Sequence, residues 1–157
     1  MGLLGRAGTL NDPAFYFSKN DPLFDGAAPA TVMDPDDATR RQVLAALQAL
    51  TPSYEFVGGL KMSDPANTPI AYTRGLTVEG TWDRDRGTYR ADGGHVVFIG
   101  GNVQFYQAID GRLVDTHGHA TNNLRQAIPA LAGGNQRLYG RNSMIATEDG
   151  VPSEAPP

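Results

Sequence analysis

The chain has 3 histidines, and two of them flank a glycine in His117-Gly118-His119. Two imidazoles at this spacing offer nitrogen ligands to a metal ion, and a histidine also serves as a general base. His95 instead precedes a run of Val and Phe residues, which favours a structural position at the start of a strand. The sequence contains no GxSxG, P-loop, GxGxxG or HExxH motif. The histidines are therefore the whole basis of a hydrolase hypothesis, and no motif supports an enzyme.

A second candidate for chemistry is the acidic and basic run Asp83-Arg84-Asp85-Arg86-Gly87. Its spaced carboxylates are similar to the start of a calcium loop, but an EF-hand requires an oxygen ligand, normally Glu, at its twelfth position. Counted from Asp83, that position is Gly94. The simpler interpretation is a surface turn in which Asp and Arg neutralise each other.

An alternative function for the chain is a β-rich extracytoplasmic binding module, which would use this region to bind calcium or a saccharide. The carboxylates of Asp83, Asp85 and Asp92 would then share one loop, and Trp82 and Tyr89 would form a stacking platform for a sugar ring. The sequence predicts no cofactor, and calcium is kept as the alternative at this loop.

Composition and charge exclude several classes of protein. A net charge of -4 argues against nucleic acid as a partner, because nucleic-acid-binding domains carry basic patches. Only Lys19 and Lys61 among the 13 basic residues are lysine, and no polybasic membrane patch is present. The absence of cysteine excludes disulfides, thiolate zinc sites and a cysteine nucleophile. No apolar run reaches the roughly 18 residues that a membrane helix needs.

The 19 glycines and 11 prolines predict a loop-rich fold with short strands. We expect a single domain, with an irregular lead-in over residues 1–35, a globular core over 36–148 and a tail over 149–157. The aromatic run Phe15-Tyr16-Phe17 lies in the lead-in. It either pins that extended segment onto the core or forms a surface for a partner.

Two segments have helical spacing. Residues 39–50 follow the acidic pair Asp36-Asp37 and end at Pro52, as expected for an amphipathic surface helix packed on a sheet. Its apolar positions are Val43, Leu44, Leu47 and Leu50. A second, shorter helix is predicted from Thr121, with apolar residues at Leu124, Ala127, Ile128 and Leu131.

Between these helices the pattern changes to short β-branched and aromatic runs. We predict strands at Ser53–Val57, Pro69–Thr73, Leu76–Val78, Thr88–Ala91, His95–Ile99 and Val103–Tyr106. The last two flank Gly100-Gly101-Asn102, whose residues accept the backbone angles of a tight turn, so they form a hairpin. The predicted fold class is α+β, a small antiparallel sheet with a packed amphipathic helix and extensive Gly/Pro-rich loops.

A series of motifs in order is more specific than any one of them. Thr73-Arg74-Gly75-Leu76 and Gly80-Thr81-Trp82 precede the hairpin, and Thr121-Asn122-Asn123 follows it. The residues of the hairpin motif are Gly93, Gly94, His95, Gly100, Gly101 and Asn102. Over about residues 69–131 the chain resembles the carboxy-terminal globular region of type II secretion pseudopilins and type IV pilin-like proteins.

This resemblance implies a structural subunit and not a catalyst. Pilin-like proteins assemble into periplasmic or extracellular filaments, so the expected partners are copies of this chain or related subunits. Their apolar amino-terminal helix anchors them in the inner membrane and is missing here, so we expect it to be removed or supplied by another subunit. Some major pseudopilins bind calcium near the carboxyl end, but no ligand can be transferred to this sequence. The candidate contact residues are Phe15, Tyr16, Phe17, Trp82 and Tyr139.

Overall fold

The computed structural model describes residues 7, 8, 10–39 and 41–129, and the backbone of 137–139. In this part of the chain the strands are β1 (Tyr54–Gly58), β2 (Pro69–Thr73), β3 (Gly94–Phe98), β4 (Val103–Tyr106), β5 (Leu113–Val114), β6 (Ala120–Thr121) and β7 (Arg137–Tyr139). Five of them form one antiparallel sheet in the order β4-β3-β2-β1-β7, and β5 pairs separately with β6. The small antiparallel sheet predicted from the sequence is confirmed.

The predicted hairpin is also confirmed. Strands β3 and β4 pair antiparallel, with His95 opposite Phe105 and Val97 opposite Val103. Gly101 adopts φ 86° in the connecting turn, a conformation that glycine reaches without steric cost. Its backbone N–H donates to the carbonyl of Phe98 at 2.9 Å and closes the turn.

Two of the predicted strands are wrong. In the Leu76–Val78 run only Leu76 forms an isolated bridge, to Trp82. In the Thr88–Ala91 run, the Thr88 hydroxyl donates to the carbonyl of Ser53 at 2.7 Å, and a 3-10 turn follows at Arg90–Asp92. Thr88 therefore fastens its loop to the sheet, because its hydroxyl bonds to the residue that precedes β1 and not to a neighbouring strand.

The predicted helix over residues 39–50 is wrong for most of its length. The helix α1 spans only Ala45–Gln48. Before it, the Leu44 N–H donates to Val32 at 2.9 Å, and the Asp37 carboxylate accepts from Gln42 at 2.9 Å. These backbone groups are therefore not available to earlier helical turns.

The second predicted helix is reduced to a 3-10 turn at Leu124–Ala127. The Asn123 side chain accepts from the Arg125 N–H at 3.0 Å and begins the turn. Ile128 is extended, as expected for a residue that precedes proline. Leu131 lies outside the described residues. The described part of the chain is consequently dominated by strands, and its helical component is small.

The sheet has an inner and an outer face. The inner face carries Val57, Tyr72 and Val96, which pack in a core with residues from the loops that follow β2 and β4. These residues, which include one from β5 and two from a 3-10 turn, are Leu76, Trp82, Ile109, Leu113, Leu124, Ala127 and Ile128. Because side chains alternate along a strand, the outer face carries Phe56, Val97, Val103 and Phe105.

A second core covers the outer face at β1 only. Tyr16, Val32, Met33 and Leu47 pack there, and the Tyr16 ring meets the edge of Phe56 with centroids 6.2 Å apart. The prediction that aromatic residues pin the lead-in onto the body is therefore confirmed for Tyr16. Over β3 and β4 the described residues provide no such cover, since Val103 and Phe105 remain exposed.

A buried ion pair holds the lead-in in place. The Arg74 guanidinium donates to Asp21 at 2.5 Å, and both side chains are buried. Arg74 also donates to the carbonyl of Pro52 at 2.7 Å, and the Ser53 hydroxyl donates to Asp21 at 2.5 Å. Buried charges persist when they are paired and hydrogen-bonded in this way. The lead-in is thus joined to both strands at one end of the β1–β2 pair, where Tyr54 lies opposite Thr73.

Candidate subunit-contact surface

The open part of the outer face forms one continuous surface of uncharged side chains. We call it the β3–β4 surface, and it consists of Tyr89, His95, Val97, Val103 and Phe105. Val103 is 61% exposed and Phe105 is 45% exposed, whereas Val97 is half-buried. Large apolar side chains grouped at this level of exposure are typical of interaction sites.

The aromatic side chains of this surface hold one another in fixed positions. The Phe105 ring lies edge-on to His95 and to Tyr89, with centroids 5.1 and 6.2 Å apart. Tyr89 and His95 pack in the same way, 5.5 Å apart. The His95 backbone N–H donates to the Thr73 hydroxyl at 3.0 Å, which fixes the strand beneath the rings. His95 therefore belongs to an aromatic cluster.

Strand β4 borders this surface and is an edge of the sheet. Within the described ranges it pairs with β3 on one side and with no strand on the other. Its sequence, Val103-Gln104-Phe105-Tyr106, contains no charge, proline or glycine. Natural proteins use charges, prolines and bulges to prevent edge strands from pairing with other chains. Strand β4 lacks these protective residues. Their absence from its four positions is the sequence signal that could have identified an edge open to pairing.

Three of the predicted contact residues are not on the surface. Tyr16 and Phe17 belong to the second core, and Trp82 is only 4% exposed. Their assignment as subunit contacts is wrong, because burial in the chain's own core leaves no area for a partner. Phe15 is exposed, so its assignment stays a prediction. The backbone of Tyr139 lies in β7, and its side chain is outside the described residues.

Trp82 is buried because Gly94 leaves room for it. A Cβ added at Gly94 would collide with the indole Nε1 and with the Thr73 hydroxyl. The glycine of the hairpin motif therefore has a packing role. The indole N–H is itself buried without a hydrogen-bond partner.

The Asp83 run forms a turn, as the simpler interpretation predicted, but among the described residues no Asp–Arg ion pair forms within it. The Asp83 carboxylate accepts from the N–H groups of Asp85 and Arg86 at 2.9 and 2.7 Å. The proposed sugar platform is wrong. Trp82 packs in the core of the inner face, whereas Tyr89 packs against His95 on the outer face.

His117 and His119 also lie in a turn. The Asp115 carboxylate accepts from the backbone N–H groups of His119 and His117, both at 2.8 Å, and these bonds hold its pKa below the usual range. The two imidazole centroids are 6.4 Å apart. Among the described residues, no group of three or more His, Cys, Asp or Glu side chains is placed to hold a metal ion.

Comparison with known proteins returned no match: no protein-family model, no curated protein and no solved structure matches this chain. In the part of the chain that the structure describes, no helix has the length and apolar character required to cross a bilayer.

Proposed function

We propose that this chain is a structural subunit of a pilin-like filament, of the type II secretion or type IV pilus kind. It acts by packing against copies of itself or related subunits in the periplasm or outside the cell. The observation that carries the proposal is the β3–β4 surface, an uncharged apolar surface beside an unprotected sheet edge. The hairpin that forms it is the segment with the most specific resemblance to pilin-like proteins.

Burial of this surface favours association on physical grounds. Each Å² of apolar surface removed from water contributes roughly 25 cal/mol, and Val103 and Phe105 present such surface without any charge to desolvate. Phe105 is already held by His95 and Tyr89, so its ring loses little freedom on binding. Aromatic residues are enriched in interfaces for the same reasons.

A second copy of the chain is a suitable occupant because the surface is self-complementary in chemistry. It has no charge that would repel an identical surface, and an edge strand pairs readily with another edge strand. Packing, and not catalysis, is the activity that apolar area of this kind supports.

Filament assembly tests the proposal. The complete natural gene product, expressed with a type II secretion or type IV pilus machinery, is expected to form sedimentable filaments. Val103→Lys is expected to abolish them, because an ammonium group would be buried at the contact. Met62→Lys is the matched control, since Met62 is 88% exposed, lies in the connection between β1 and β2, and is not one of the residues of the β3–β4 surface. Normal filaments from the Val103 variant, or none from the unmodified protein, would contradict the proposal.

A further inference from the structure

A cavity lies on the inner face beneath β4. Its volume is about 360 Å³, close to the lower end of the range for small-molecule sites. Phe98, Tyr106 and Leu113 line it with apolar surface, and all three side chains are buried in the core. These three side chains close the base of the cavity, and its accessible apolar surface comes from Ala66 and Val114, which are exposed.

Polar side chains line the rest of the cavity. Asn67, Asn102 and Gln104 bring three amides, which both donate and accept hydrogen bonds. The Gln104 Oε1 atom accepts from the Tyr106 hydroxyl at 3.1 Å, which leaves the Gln104 amide N–H groups free to donate. Asn102 belongs to the hairpin turn. The hairpin motif therefore packs against Trp82 at Gly94 and lines the cavity at Asn102.

A single positive charge completes the lining. The Arg112 guanidinium carbon lies 5.7 Å from the centroid of the Tyr106 ring. No acidic residue lines the cavity, and within the described ranges Arg112 forms no ion pair. Arginine binds a carboxylate through two parallel N–H donors, so this side chain is suited to a ligand that carries one.

We infer that the cavity binds an acidic sugar residue, such as a uronic acid unit. The carboxylate would pair with Arg112, the hydroxyl groups would exchange hydrogen bonds with Asn67, Asn102 and Gln104, and the apolar side of the ring would lie against the exposed Val114 side chain. A phosphate is disfavoured because it carries a charge of about −1.5 to −2 near neutral pH, and the lining supplies a single cation. One cation and three amphoteric amides match a singly charged, polyhydroxylated ring.

This site is separate from the proposed subunit contact. Gln104 pairs with Val96 and shares its inner face, whereas Val103 and Phe105 on the same strand project from the outer face. A variant in the cavity therefore leaves the β3–β4 surface unchanged, and each proposal can fail without the other.

Calorimetric titration of the chain with methyl glucuronide and with the neutral methyl glucoside tests the inference. The glucuronide is expected to bind about tenfold more tightly, as one charge-assisted contact allows. Arg112→Gln is expected to remove that difference. Arg84→Gln, a change at an exposed arginine of the Asp83 turn, is the matched control and should preserve it.

A second variant separates sugar recognition from simple anion binding. Asn67→Ala is expected to weaken both sugars by a similar factor, because its amide contacts hydroxyl groups and not the carboxylate. Thermal unfolding midpoints of all variants should match the parent, since each altered side chain is exposed. Saturation by acetate or inorganic phosphate at the same concentrations would overturn the inference, as would no heat from glucuronide or an unchanged preference in Arg112→Gln.

Discussion

Two phenylalanines on the same face of the sheet have opposite surroundings. Phe56 on β1 is covered by Tyr16, whose ring centroid is 6.2 Å away, and by the rest of the second core. Phe105 on β4 is 45% exposed. The strand pattern is similar at the two ends, so the difference comes from what the chain places over each. At β1 the outer face is covered by the chain's own lead-in, and at β4 the described residues leave it open.

The cover over β1 depends on a polar anchor that has no counterpart over β4. Asp21 and Arg74 fix the lead-in through a buried ion pair. Near β4 the Asp83 turn contributes Tyr89, which packs against the side of Phe105 and leaves much of that ring open. The comparison is therefore tested by variants that remove the cover over β1, disturb the inner face, or change the exposed side chains of β4.

The largest effect is expected when the anchor is broken. Asp21→Ala leaves the Arg74 charge buried without its partner, which should lower the free energy of unfolding by about 3–5 kcal/mol. Urea denaturation measures this. Asp25→Ala is the control, because the Asp25 carboxylate is exposed and, among the described residues, accepts only from Ala27 in a local turn. Equal losses from the two variants would mean that the lead-in is held by other contacts.

A methyl group at Gly94 should displace the Trp82 indole from the core of the inner face. Gly94→Ala forces the Trp82 indole out of its position, at a cost of about 1–3 kcal/mol typical of overpacked cores. The chain has 1 tryptophan, so its fluorescence reports the change directly as a red shift. Gly100→Ala is the milder comparison, since its added carbon would approach Ala66 at 3.0 Å. An unshifted spectrum for Gly94→Ala would show that the glycine does not determine where the indole lies.

At the open end, a charge should alter assembly and leave stability alone. Val103→Lys is expected to change the free energy of unfolding by no more than about 0.5 kcal/mol, because the side chain is exposed. Chemical denaturation of the dispersed protein checks this value. A loss of several kcal/mol would instead identify Val103 as part of the chain's own core.

The smallest effect is expected at alkaline pH, where the buried tyrosine hydroxyls lose their contribution to stability. Burial raises the pKa of Tyr16 and of Tyr106, and Arg112 partly offsets the second shift. The folded state therefore keeps both hydroxyls neutral after they begin to ionise in the unfolded chain. Their contribution to stability is complete below about pH 10 and is lost as pH rises through the folded-state values.

Unfolding measured from pH 8 to 11 should show this decline. Tyr16→Phe should make it shallower, at the cost of the hydrogen bond to the Leu10 carbonyl, about 1 kcal/mol at neutral pH. An unchanged slope in Tyr16→Phe would mean that this hydroxyl ionises equally in both states.

The hairpin and the strands β1 and β2 could be predicted from the sequence because their signals are local. Period-two patterns and the Gly100-Gly101-Asn102 turn specify them without reference to the rest of the chain. The helix over residues 39–50 could not be predicted correctly. Its apolar spacing is satisfied by one helical turn and by an extended segment where Val43 bridges Met33, and tertiary contacts override helix propensity there.

Exposure was the other property that the sequence did not reveal. Trp82 and Phe105 are both large aromatics near turns, yet the first is buried and the second is open. The difference depends on which face each residue occupies and on what covers that face, which are non-local facts. The absence of charge in β4 is a local signal that could have identified the open edge, whereas no local signal indicates the cavity beneath it.

Thiol protection at Val103 tests the central claim most directly. The chain contains no cysteine, so Val103→Cys and the control Met62→Cys each introduce a unique label site. In dispersed protein both thiols should react fully with a maleimide reagent. In assembled filaments the thiol at position 103 should become protected, while that at position 62 stays reactive. Equal reactivity of the two thiols in filaments would contradict the assignment of the β3–β4 surface as the subunit contact.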